Sequence, residues 1–357
     1  MMKTTKILVI LLCAAVLMAG CMKNENLQLP YQGFTPEEIG DGWEISNPAS
    51  QGFDRSALEK IYRTLSNEEQ YPNIRSLLVI RNDKIVSEAY FKDPDDRDRI
   101  HAIMSVTKSI TSMVVGIALD RGYLSSVDDR LYQFIPEFFD GDPLKRSITI
   151  LHLLTMETGL DYDNDIHTGE MIYCKGSSLE YVLSRPIVFE PGKDWYYGDG
   201  NPQIMSGIIT RTSGKTMGEL ADEFLFEPMG IKQYLWENHS DGLTFGGMGL
   251  WLKPRDMAKI GKLMLNGGNW EGRQLISNEW VSASTVRQAN HRDYGYYWLT
   301  GDNINFWASG KGGQLIWVCP EKQIVVVVTS DSFAKSWLLS NGSYNYIFQG
   351  IYDATID

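Results

Sequence analysis

The 357-residue chain is poor in the residues that most often announce a site. Four cysteines and five histidines are too few for a disulfide framework or a Cys/His zinc cluster. His101, His152, His167, His239 and His291 are scattered, and no H-E-x-x-H occurs. Basic residues are outnumbered: 33 Lys and Arg face 45 Asp and Glu, a formal charge of −12. That balance excludes a partner held mainly through nucleic-acid phosphates. No apolar run reaches the roughly 20 residues needed to span a bilayer. G-x-S-x-G is absent, so no nucleophile elbow is indicated. Gly214-Lys215-Thr216 resembles the end of a P-loop, but Gly207 is too far away to complete it, and a helix-linking turn is the better reading. No metal or cofactor is expected. What the chain does have is apolar bulk: 43% hydrophobic residues, with 10 Trp, 18 Tyr and 13 Phe, enough for a large core and a lined pocket.

The N-terminus stands apart. Met1 to Gly20 carries Lys3 and Lys6, a short apolar run from Ile7 to Met18, and small residues at its end, the pattern of an export signal. Met18-Ala19-Gly20-Cys21 resembles a bacterial lipoprotein lipobox. That resemblance implies lipidation of Cys21 and an exported chain anchored on the periplasmic or extracellular face of a bacterial membrane. Residues 21–47 are polar, with Pro30, Gly33, Pro36 and Gly42, and read as a tether. Beyond them only Cys174 and Cys319 remain, either as one disulfide or as two buried thiols.

Periodicity orders the rest. Asp54–Leu65 reads as a helix; Ser76–Ile80 and Lys84–Phe91 read as strands around the hairpin signal Arg81-Asn82-Asp83. A helical middle follows: Ser105–Arg121 stopped by Gly122, a short helix capped by Thr149, then Gln203–Arg211, Met217–Phe226 and Pro254–Asn266. Tyr294–Leu299, Gln314–Val318 and Gln323–Thr329 return to strand, and Trp337–Tyr352 closes as a helix. Strands at both ends with helices between predict an α/β (α+β) fold: an antiparallel sheet built from both chain ends, flanked by helices, with a helical insertion. The expected domain spans 48–352, with sheet regions about 48–100 and 270–352 and a helical region about 101–269.

The chemistry concentrates at Ser105-Val106-Thr107-Lys108. Positions i and i+3 share a helix face, so a serine at the helix N-terminus would meet a lysine one turn in. Free N–H groups and the helix dipole there favour developing negative charge. The helix continues as an apolar run, and burial disfavours the charged amine, so Lys108 is expected to act as a base near neutral pH. Ser-x-x-Lys alone is weak: a second copy, Ser332-Phe333-Ala334-Lys335, lies near the C-terminus with little chain left to supply partners. The first copy has context, in Pro191–Asn201 and in Ser309-Gly310-Lys311-Gly312-Gly313-Gln314.

With these segments in order, the chain resembles the serine β-lactamase and penicillin-binding-protein superfamily. It is most similar to class C-like β-lactamase-related hydrolases, including esterases and aminohexanoate-dimer hydrolases. The resemblance runs from about Ser46 to Tyr352. It implies Ser105 as acylated nucleophile, Lys108 as its partner, and Tyr197 as the tyrosine of the Y-x-N motif that shares proton transfer. Lys311 would open the K-T-G motif, and the backbone N–H groups of Ser105 and Gln314 would form the oxyanion hole. Lys311, Gly312, Gly313, Asp199 and Asn201 are the expected substrate contacts.

Two positions depart from the pattern. Asp199 stands where Y-x-N has Asn, with Asn201 two residues later, and Gly312 replaces the K-T-G hydroxyl. Both changes should weaken a grip on penicillin-like carboxylates. The expected activity is acyl-enzyme hydrolysis of a small ester, amide or peptide-like substrate. The alternatives are a β-lactamase or D-alanyl-D-alanine carboxypeptidase, or a non-catalytic lipoprotein that binds ligands in the cleft.

Overall fold

A computed structural model describes residues 29–67, 70–139, 141–301, 305–333 and 341–356, with the side chains of 341–345 left aside. The expected signal segment, Cys21, and residues 334–340, which include Lys335 and the start of the last expected helix, lie outside the described residues.

In chain order the strands are β1 (Glu44–Ile45), β2 (Ile74–Arg81), β3 (Lys84–Tyr90), β4 (His101–Ala102), β5 (Leu235–Trp236), β6 (Leu250–Leu252), β7 (Asn269–Trp270), β8 (Arg273–Gln274), β9 (Leu299–Thr300), β10 (Phe306–Gly310), β11 (Gln314–Cys319) and β12 (Ile324–Ser330). The helices are α1 (Arg55–Leu65), α2 (Val106–Asp120), α3 (Ile150–Leu154), α4 (Asn164–Tyr173), α5 (Ser178–Leu183), α6 (Gly200–Ser213), α7 (Met217–Ala221), α8 (Pro254–Leu265), α9 (Asn278–Ser284) and α10 (Asn341–Asp353).

The main sheet runs β1-β3-β2-β12-β11-β10-β9. Every pairing is antiparallel except β1 with β3. The two chain ends thus meet at β2 and β12, as expected. The β2–β3 turn works because Asn82 and Asp83 both accept positive φ (50° and 64°), the conformation a tight hairpin needs. Period-two alternation splits the central strands between two cores. Leu77, Val79, Trp317, Val326 and Val328 join α1 and α10 on one face; Leu78, Ile80, Ile316, Val325 and Val327 face α8 and the helical region on the other. Gly261 lets α8 approach closely, since a Cβ there would lie 2.4 Å from Val325 Cγ1.

Four expectations need correction. The described part of the expected tether, 29–47, is folded. Phe34 stacks on Tyr62 at 4.9 Å, Trp43 is buried with its Nε1 donating to the Arg255 carbonyl (3.2 Å), and β1 extends the sheet. Two aromatics in a polar stretch suffice to dock it. The helical region also contains a small sheet, β4-β6-β5, whose strands are too short for periodicity to reveal. α7 ends at Ala221 and passes into a π-helical turn over Asp222–Phe226. Tyr294–Trp298, expected as strand, is buried irregular backbone, with Tyr297 at φ 60°; its aromatics imitate a strand pattern. Cys174 and Cys319 are both free. Among the described residues, no helix is long and apolar enough to cross a membrane.

Candidate active site

Ser105 occupies the N-cap position of α2, yet its side chain caps nothing. Instead its Oγ accepts a hydrogen bond from Lys108 Nζ (3.0 Å). The turn that delivers it is strained: Met104 has φ 51°, a left-handed value uncommon for a side chain of this kind. Val106 and Thr107 N–H groups close the turn onto the carbonyls of Ile103 (3.2 Å) and Met104 (3.1 Å).

Lys108 is among the largest fully buried side chains of the protein. Its Nζ donates to the Gly247 carbonyl (2.9 Å) and makes a short, buried ion pair with Asp199 Oδ1. Tyr197 lies alongside, its ring centroid 4.7 Å from Nζ. Burial pushes the lysine down, but the Asp199 carboxylate and Tyr197 outweigh it, and Lys108 is held above its ordinary value. This overturns the expectation of a neutral amine at rest. The carboxylate that favours the charged form of Lys108 comes from 91 residues away.

Asp199 is itself held at three points. Its Oδ1 takes Lys108, its Oδ2 accepts from Thr168 Oγ1 (2.8 Å), and its N–H donates to Asn164 Oδ1 (2.8 Å). Asn164 and Thr168 are i and i+4 on α4, one face of one helix. Sequence reading missed both, although that spacing is a visible signal. Asn201 does not join the group. From α6 its Oδ1 accepts from Thr158 Oγ1 (3.0 Å), and its amide nitrogen lies 3.2 Å from Met156 Sδ. Of the two candidates for the third position of Y-x-N, the strict count, Asp199, is the one beside the lysine.

The second wall is the turn between β10 and β11. Gly310 touches the segment before Ser105, since a Cβ there would sit 2.4 Å from the Ile103 carbonyl. Gln314 is fully buried, and its side chain fastens β11 to the end of β12. Nε2 donates to the Ser330 carbonyl (2.6 Å) and Ser332 Oγ (3.1 Å), and Oε1 accepts from Ser330 N–H (3.3 Å). Ser332 Oγ donates onward to the Ala102 carbonyl (2.6 Å), three residues before Ser105. The serine of the second Ser-x-x-Lys is therefore a bolt between the two backbone segments of the expected oxyanion hole. Lys311 is exposed in the turn, and Gly312 and Gly313 are buried with φ of 81° and 103°.

Gly312 cannot simply be reverted to the K-T-G threonine. A Cβ there would lie 2.5 Å from the Asp331 carbonyl, on a backbone conformation that β-branched residues avoid. Gly312→Thr should lower stability by about 1–3 kcal/mol without creating labelling by fluorescent penicillin. Urea denaturation and gel fluorescence check both; a stable variant that gains penicillin labelling would contradict this reading.

Around Tyr197 the walls are aromatic. Trp195 lies 6.0 Å from it and 5.6 Å edge-on from Tyr294, and burial pushes the Tyr294 and Tyr297 phenols well up, so both stay neutral. Among the described residues, no group of three or more His, Cys, Asp or Glu is placed to hold a metal ion.

A mostly antiparallel sheet built from both chain ends and flanked by helices is the β-lactamase/transpeptidase-like arrangement. The chain belongs to the Beta-lactamase family, whose pattern it matches over residues 58–339. It is 25% identical over 294 residues to the 6-aminohexanoate-dimer hydrolase of Paenarthrobacter ureafaciens, covering 71% of this chain and 72% of that one. A provisionally named 6-aminohexanoate-dimer hydrolase from Bacillus anthracis superposes with a TM-score of 0.72 at 17% identity, over 93% of this chain and 92% of that chain. A family VIII carboxylesterase superposes with a TM-score of 0.68 at 16% identity, over 87% and 98%. The protein thus has the β-lactamase/transpeptidase-like fold and belongs to a family of hydrolases.

Proposed function

We propose that the protein is a serine hydrolase that cleaves a small ester or amide through an acyl-enzyme on Ser105, exported and lipid-anchored through Cys21. The observation that carries this reading is the buried Lys108 ammonium donating to Ser105 Oγ at 3.0 Å. An ammonium in that place stabilises the serine alkoxide. Tyr197, its ring 4.7 Å from that nitrogen, is the general base that takes the Ser105 proton as Oγ attacks the carbonyl carbon. The oxyanion so formed rests on the N–H groups of Ser105 and Gln314. Tyr197 then gives the proton to the departing alcohol or amine, leaving the acyl-enzyme. Water reverses the sequence: its proton goes to Tyr197, its oxygen to the acyl carbon, and Ser105 is regenerated.

The ester or small-amide preference rests on the second wall. Gly312 offers no hydroxyl to a substrate carboxylate, and the third motif position carries an acid, Asp199. Carboxylate-bearing β-lactams lose the hydroxyl contact, and Asp199 offsets the Lys108 charge that would attract their carboxylate. A panel of nitrophenyl esters, small linear amides, nitrocefin and D-alanyl-D-alanine peptides tests this. We expect turnover of the esters or linear amides at least about tenfold above that of the β-lactam and dipeptide substrates. Preferential nitrocefin or dipeptide turnover would replace this reading with the β-lactamase or carboxypeptidase one. Inertness toward every substrate and acylating probe would leave a cleft-binding lipoprotein.

A further inference from the structure

The residue that most separates this site from a Y-x-N site is Asp199, and its surroundings give it a task other than touching substrate. Both carboxylate oxygens are already occupied, Oδ1 by Lys108 Nζ and Oδ2 by Thr168 Oγ1. The residue is nine-tenths buried, and its own N–H is anchored on Asn164. A carboxylate with both oxygens satisfied and turned to the lysine is a poor substrate contact and a good fixed counter-ion.

We propose that Asp199, clamped by Asn164 and Thr168 of α4, is a positioning residue that locks Lys108 as a permanent cation against Ser105 and removes the lysine from proton transfer. The mechanistic half of this inference rests on the acyl-enzyme reading above; the electrostatic half does not. The groups facing the lysine nitrogen are Asp199, Tyr197, Ser105 Oγ and the Gly247 carbonyl. Facing Asp199 are Thr168, Asn164 and the buried phenols of Tyr162 and Tyr294, which burial pushes up and keeps neutral. Asp199 is the carboxylate paired with Lys108, so a carboxamide in its place leaves burial to act on the amine unopposed.

The test is Asp199→Asn, which also restores the residue the family pattern has at this position. The first measurement needs no substrate: urea-denaturation stability of wild type and variant at pH 6 and pH 9. In wild type, Lys108 has a folded value above its unfolded one. Its contribution is therefore constant below about pH 10. In the variant the folded value drops below the unfolded one. The unfolded chain then binds the extra proton, and stability falls as pH falls. The variant's deficit should be clearly larger at pH 6 than at pH 9. An equal deficit at both values overturns the proposal, because loss of hydrogen bonds alone does not titrate there.

The second measurement is the rate of Ser105 labelling by a fluorophosphonate across the same range. The variant should label at least about tenfold more slowly than wild type at pH 9, with the gap narrowing toward pH 6 as the lysine recharges. Faster labelling by the variant at every pH would mean that Lys108 works as a neutral base, and would overturn the proposal. If no form of the protein labels, the acyl-enzyme reading fails, while the denaturation comparison still decides the ion pair. Should Asp199→Asn not fold, Thr168→Val keeps the carboxylate and loses one hold on it. Labelling should then fall about two- to fivefold with an unchanged pH profile, and an undiminished rate would overturn the positioning role.

Discussion

Ser105→Ala should abolish ester hydrolysis and fluorophosphonate labelling while leaving the protein folded. The loss expected is about 10⁴-fold or more in kcat/KM, because no second group can form the acyl bond. The fold should survive because Ser105 Oγ is only an acceptor from Lys108, and that nitrogen keeps Asp199 and the Gly247 carbonyl. The hydroxyl makes no capping bond whose loss would fray α2. Its removal should change stability by no more than about 1 kcal/mol. Circular dichroism and urea denaturation establish the fold, and intact-mass analysis after fluorophosphonate treatment establishes the site. Full labelling of the Ala variant would move the nucleophile elsewhere. The buried Ser332 is a poor substitute, since its Oγ is spent between Gln314 and the Ala102 carbonyl.

Much of this site was legible because its first contact is local. A serine and a lysine three residues apart on an apolar helix must meet, whatever else the chain does. Family resemblance then supplied Tyr197 and the turn at Lys311–Gln314, which no periodicity could have joined to Ser105. What misled was charge. The lysine's own helix is apolar and points to a neutral amine; the partner that reverses this, Asp199, arrives over a tertiary distance. Asn201 misled for a related reason. It lies two residues past Asp199, on another side of α6, and Thr158 and Met156 claim its side chain.

The same limit shaped the fold. Helices and strands long enough to show a period were readable: the β2–β3 hairpin, α2, α8 and the Val-rich β12. The two-residue strands β1, β4 and β5 were not, since a period cannot be read over two positions. The expected tether was judged by average polarity, which conceals what single residues such as Phe34 and Trp43 do once a sheet edge is present.

The second large effect concerns the ion pair. Lys108→Met should cost about 3–5 kcal/mol in stability, because it leaves the Asp199 carboxylate buried without its cation. It should also lower acylation on the order of a thousandfold, since the charge facing the alkoxide is gone. The two losses have different causes and can be separated. In Lys108→Met/Asp199→Leu the orphaned carboxylate is gone, so most of the stability should return. Acylation should not return with it. A double variant that regains both would mean the lysine matters only for folding. One that regains neither would mean the pair is needed to pack α2 against α6. The expected outcome lies between: a protein restored in urea and still inert toward a fluorophosphonate. It would place the catalytic value of Lys108 in its amine and not in its packing, because Met fills nearly the same volume without one.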